Sequence, residues 1–138
     1  MEKPKKAAFS FKKFTVPRFS YNQSLNEKPE LDLLFNPRGE YNKEKGLFNL
    51  ILNLSGTEKT DKAEIIQIES VATFKFSENI DIKDIPEYFY ANSIAIMFPY
   101  VRSFISTLTL QSNTGIIMLE ILNLSAMKET LRENTKAK

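Results

Sequence analysis

The chain has 138 residues, a length that suits one domain around a single core. Eleven Phe and five Tyr stand against no Trp, and the absence of Cys and His excludes disulfides, thiol nucleophiles, Cys/His zinc sites and histidine general bases. The net charge of +2 conceals basic ends around an acidic body. Scattered lysines without an Arg cluster read as a solubility device, so no nucleic-acid partner is expected.

Residues 1–8 read as a flexible basic tail. No uninterrupted apolar run follows, which argues against a signal peptide. From Phe9 the pattern alternates through Phe11, Phe14, Val16, Phe19 and Tyr21, the period of a strand. Its phase slips at Lys12-Lys13 and again around Pro17, which predicts bulges and an edge position. Residues 22–29 form a polar loop with Leu25 as its one apolar residue. A short second strand covers Glu30 to Phe35, ended by the turn signal Asn36-Pro37-Arg38-Gly39.

Gly46 to Leu54 alternates cleanly, a turn is expected over Ser55 to Asp61, and Glu64 to Phe76 resumes as a long strand. These two strands are predicted to form a hairpin. After Asp84 the period becomes helical, with Pro86 in the first turn. Ile94, Met97, Phe98, Val101, Phe104, Ile105 and Leu108 then recur at spacings of three and four. Pro99 within that stripe implies either a kink or a new helix. A last helix is expected from a Ser125 cap to Glu133, and 134–138 read as a second flexible basic tail. Four strands followed by two helices indicate an α+β domain, a four-stranded antiparallel sheet with both helices packed on one face.

No Gly-rich phosphate loop and no G-x-S-x-G elbow is present. Carboxylate pairs such as Asp81/Asp84 read as solvated loop acids. No enzyme, metal site or cofactor is expected. No apolar stretch comes near the roughly 20 residues needed to span a bilayer, and a cytoplasmic protein is expected.

Residues 92–111 contain Ile96-Met97-Phe98-Pro99-Tyr100-Val101-Arg102, which resembles the I-L-F-P-Y-x-R element of the SecB export-chaperone family. Phe9-Ser-Phe11 through Tyr21 is similar to that family's first strand, Glu30-Leu31-Asp32-Leu33 to its second, and Met118 to Leu124 to the region before its last helix. The match covers about residues 9–133, which the resemblance marks as the SecB-like domain.

The resemblance implies homotetramers, built as dimers of dimers, that bind non-native polypeptides in apolar grooves without ATP. It assigns client binding to Phe19, Tyr21, Leu25, Leu122 and Met127, with Leu124 nearby. It places Phe9 and Phe11 at an oligomer interface, and Val101, Ile105 and Leu108 at an oligomer interface or in the core. Arg102 reads either as a solvated charge or as half of an ion pair between subunits. Export members dock the SecA motor through acids on the sheet. Here Gln67 replaces one such acid, Glu69 follows it, and the tail is basic, so a SecA partner is doubtful. Other members serve a single antitoxin, which remains an alternative partner.

Overall fold

The structure, a computed structural model, describes residues 8–119 and 123–138. Phe9–Tyr21 forms β1, Leu31–Asn42 β2, Leu47–Glu58 β3 and Glu64–Phe76 β4. A 3-10 turn at Ile82–Asp84 leads into α1 (Glu87–Gln111), followed by α2 (Met127–Glu133) and β5 (Thr135–Ala137). The sheet order is β1-β4-β3-β2-β5. The first four strands pair antiparallel and β5 runs parallel to β2. The α+β class therefore stands as expected, with a mixed sheet of five strands in place of four. The fifth comes from the stretch read as a C-terminal tail. Of the expected N-terminal tail, all but Ala8 lies outside the described residues.

Register explains the core. Antiparallel pairing sets Phe48 beside Phe74, Leu50 beside Ala72 and Leu54 beside Ile68. Tyr41 falls beside Phe48, and Phe35 beside Leu54. Because side chains alternate across a strand, all these residues share one face. β1 keeps Phe9, Phe11, Phe14, Phe19 and Tyr21 on that face only by slipping register between Phe11 and Lys13 and between Thr15 and Arg18. Those slips fall at the two positions where the sequence phase breaks.

Helix α1 covers this face. Phe89, Ile94, Met97, Val101 and Ile105 are each 1% exposed or less. By length and composition α1 is apolar enough to cross a membrane, with a mean hydropathy of 1.3, contrary to the expectation that no stretch comes near. Its burial against the sheet accounts for that composition. The helix runs through Pro99 without a break. Pro99 and Ala95, whose carbonyl loses its bonding partner, are both exposed, so that carbonyl faces solvent.

Three other boundaries differ from the sequence reading, two for a tertiary reason and one for a local one. β2 continues through Asn36-Pro37-Arg38-Gly39 to Asn42. The Gly39 N–H points outward to the Asn134 carbonyl (3.2 Å), so the nitrogen of Pro37, two residues earlier, faces the same outer edge. β5 pairs only from Gly39 onward, and the proline costs the ladder nothing. β3 likewise continues through Gly56, where a Cβ would lie 2.8 Å from Ile66 Cγ2. Ser125 does not cap α2, because its hydroxyl donates to Asn123 Oδ1 (2.8 Å), and the N-cap is Ala126.

Gly39 is where the added strand closes on the sheet. A Cβ there would meet Phe48 Cζ at 2.4 Å and Thr135 Oγ1 at 2.6 Å. Gly39→Ala is expected to cost about 1–3 kcal/mol of stability by overpacking, read as a lower denaturant midpoint. An unchanged midpoint would show that β5 and Phe48 move aside freely.

Candidate functional site

β1 and β2 lie on opposite sides of the β4–β3 pair, so loop 22–30 has to cross the end of the sheet. Several contacts hold it there. The Asn22 N–H donates to the Ile65 carbonyl (2.8 Å), and the Lys59 N–H donates to the Glu30 carbonyl (2.9 Å). The carboxyl of Glu58, the last residue of β3, accepts from Ser24 Oγ (2.8 Å) and from the Glu30 N–H (3.2 Å). This loop forms one wall.

The segment after α1 forms the other. Asn113 (φ 57) and Gly115 (φ 92) take left-handed backbone, which stops the helix and turns the chain back. The returning residues then run along α1. Thr109 Oγ1 accepts from the Ile117 N–H (2.9 Å), Ser106 Oγ donates to the Ile117 carbonyl (3.4 Å), and Arg102 Nε donates to the Leu119 carbonyl (3.0 Å). Positions 102, 106 and 109 follow one another at helical spacing, so one side of the helix carries all three. Arg102 thus anchors a backbone carbonyl of its own chain and is not a purely solvated charge.

The Tyr21 hydroxyl lies 2.7 Å from Thr114 Oγ1 and joins the two walls. Between them lies a groove of about 240 Å³, lined by Tyr21, Leu25, Pro29, Ile116 and Ile117 with polar neighbours such as Gln23 and Asn26. Leu25 is 98% exposed, Met118 72% and Ile116 54%. Apolar side chains so free of contact have no core role. No cluster of acids able to hold a metal occurs among the described residues.

The structure brings Tyr21 and Leu25 together in this groove. Phe19 shares their strand face but sits outside the lining, its ring edge-on to Phe104 at 5.2 Å. Met127 and Leu124 are partly buried against the core. Leu122 lies outside the described residues. Val101 and Ile105, expected at an oligomer interface or in the core, are each 0% exposed within this chain, which leaves no surface for a partner. Phe9, Phe11 and Leu108 are partly buried against the same core. The sequence reading missed Ile116, Ile117 and Pro29. The turn cluster Ser112-Asn113-Thr114-Gly115 was the signal that the chain reverses there.

On the opposite sheet face, Glu69 accepts from Arg18 Nε (3.1 Å) and Nη2 (3.2 Å), with Arg38 Nη2 at 3.7 Å. The hydrogen bond from Arg18 chiefly holds the Glu69 carboxyl below the usual carboxylate range; desolvation opposes it, and the charges of Arg18 and Arg38 reinforce it.

A profile of the family described as "Preprotein translocase subunit SecB" matches residues 7–134. The chain belongs to the SecB family. It is 34% identical over 149 aligned residues to the "Uncharacterized protein MJ0357" of Methanocaldococcus jannaschii, covering 99% of this chain and 95% of that one. Among solved structures it is similar to the Mycobacterium tuberculosis Rv1957 SecB-like chaperone, solved in complex with a ChAD peptide from the Rv1956 HigA1 antitoxin. That match has a TM-score of 0.67 and 19% identity, and covers 84% of this chain and 88% of that one.

On this outer face Glu69 is paired with Arg18 and lies within ion-pair distance of Arg38. Its folded-state pKa is depressed, so its contribution is full above the unfolded carboxyl pKa and disappears as pH falls through the folded one. The stability advantage of the wild type over Glu69→Gln should therefore be greatest near neutral pH and vanish in acid, with partial loss in high salt. A gap that persisted at about pH 2 would show that the ion pairs are not its source.

Proposed function

We infer that this chain is a holding chaperone that takes extended apolar segments of non-native polypeptides into the groove between loop 22–30 and the segment after α1. The near-complete exposure of Leu25 at the groove rim carries this reading. A lone exposed Leu is ordinary, but Leu25 and Ile116 are both exposed and line the same groove, which gives a client an apolar rim to meet. Ile116 and Tyr21 in the lining suit varied partners, because a flexible aliphatic chain and a ring accept many shapes without sharp polar demands. Membership of the SecB family supports the reading.

Phe19 and Met127, both outside the groove lining, are assigned to the wider client surface in this reading. β1 forms one margin of the sheet. Tyr100, 45% exposed, stacks on Phe11 and Phe14 of that strand. This margin is the contact we assign to the homotetramer. Docking on the export motor SecA is disfavoured, because Glu69 is neutralised by Arg18 and Arg38. A second reading is a chaperone dedicated to one client. It is favoured by the fold likeness to a Mycobacterium tuberculosis protein solved with an antitoxin peptide.

The purified chain is expected to suppress aggregation of several unrelated, slowly folding proteins without nucleotide. Protection of none at several-fold excess would end the holding reading, and protection of one alone would favour the dedicated one. Leu25→Asp should weaken client binding about tenfold, the scale of losing one buried apolar anchor, with oligomer mass unchanged in light scattering. A changed mass would place Leu25 in a subunit contact.

A further inference from the structure

One buried ionisable side chain is not explained by packing. Glu58 is 2% exposed and faces the same side of the sheet as Leu54 and Gly56. A carboxyl group taken out of water is costly unless its oxygens are hydrogen-bonded, and here both are. What they bind is the crossing loop. Oε2 receives the Ser24 hydroxyl, and Ser24 Oγ in turn accepts the Asn26 N–H (3.1 Å). Oε1 receives the N–H of Glu30, where the loop ends. Leu25 stands between Ser24 and Asn26, so the turn that lifts it into solvent is fastened at its base by this one side chain.

The backbone of Glu58 is fixed independently. Its N–H donates to the Ala63 carbonyl (2.8 Å), and its carbonyl accepts from the Lys62 N–H (3.0 Å). These bonds close the β3–β4 turn, where Lys62 adopts φ 62. The carboxyl is therefore mounted on a turn closed by its own hydrogen bonds and reaches across to an irregular loop. An apolar residue would fill the same space at lower desolvation cost but could not grip a hydroxyl and an N–H together.

We propose that Glu58 is a positioning residue of the groove, setting the height and angle at which Leu25 is presented to an extended apolar segment. This rests on the holding function inferred above. Removing the grip frees two loop donors, so the rim loosens while the sheet remains intact. The predicted consequence is faster client release rather than loss of fold.

Hydrogen exchange of the full chain and release of a fluorescent, reduced and carboxymethylated polypeptide test this together. Glu58→Ala and Ser24→Ala should each speed exchange at the Asn26 and Glu30 amides and quicken release about fivefold, the scale of one net hydrogen bond. Glu58→Gln, which keeps an acceptor for Glu30 and a donor for Ser24, should restore both. Should Glu58→Ala fail to fold, Ser24→Ala carries the test. Unchanged exchange at Asn26 in Ser24→Ala, or a loosened loop with unchanged release, would overturn the proposal. Wild type that retains no polypeptide would overturn it too, through the holding reading on which it rests, and is told apart by the first measurement.

Discussion

The fold depends on where Phe89 is seated. This residue, in the first turn of α1, is 0% exposed, and its ring centroid lies 4.8 to 5.5 Å from those of Phe9, Phe48, Phe74 and Phe76. Those partners come from β1, β3 and β4, so one ring ties the helix start to three strands. Such edge-on aromatic contacts add about 0.5–1.5 kcal/mol each beyond simple burial. Phe98 then meets Phe35 of β2, and Phe104 meets Phe19 near the far end of β1. The direction of α1 across the sheet is thereby fixed. Its last turns arrive beside the crossing loop, where Ser106 and Thr109 secure the returning chain. The groove walls stand where they do because the helix start is locked about five turns away.

Much of this was readable along the chain, for a physical reason. A sheet with one covered face demands alternation, and Phe48, Leu50, Leu52 and Leu54 display it without interruption. The slips in β1 were readable because a bulge shifts parity, and parity is visible in sequence. The extent of β2 was not. Pro37 and Gly39 carry the local signature of a turn, yet one faces an empty edge and the other makes room for Phe48 and Thr135. Those are demands of distant segments, which no window around residue 37 contains. The same holds for the site. Leu25 was legible because an isolated apolar residue in a polar loop lacks a local explanation. The opposite wall was not, since Arg102, Ser106 and Thr109 look like ordinary polar interruptions of an apolar helix until the chain folds back onto them.

The outer sheet face follows a different logic. Arg18 lies on β1, Glu69 on β4 and Arg38 on β2, so the group spans the sheet past β3. Exposed ion pairs of this kind contribute little stability singly. Their effect is on recognition: a carboxyl shared by two guanidinium groups offers little attraction to a basic partner and leaves net positive charge nearby. Family membership fixes the fold, but this local charge arrangement separates the chain from any relative that relies on free acids at that surface.

The groove differs from the core in how it is held, and that difference suits the use proposed for it. The core is closed by ladders and interlocking rings, which open only with the whole domain. The two walls are held chiefly by single bonds between side chains and backbone, from Arg102, Thr109, Ser24 and Glu58. Each such bond is worth only about 1 kcal/mol net. A wall fastened this way adjusts to a bulky or slender client at a cost far below that of unfolding. An apolar groove with stiff, ladder-bonded walls would select one shape. Walls pinned at a few polar points onto a rigid sheet and helix keep their place while yielding in detail, which is what binding many unfolded sequences requires.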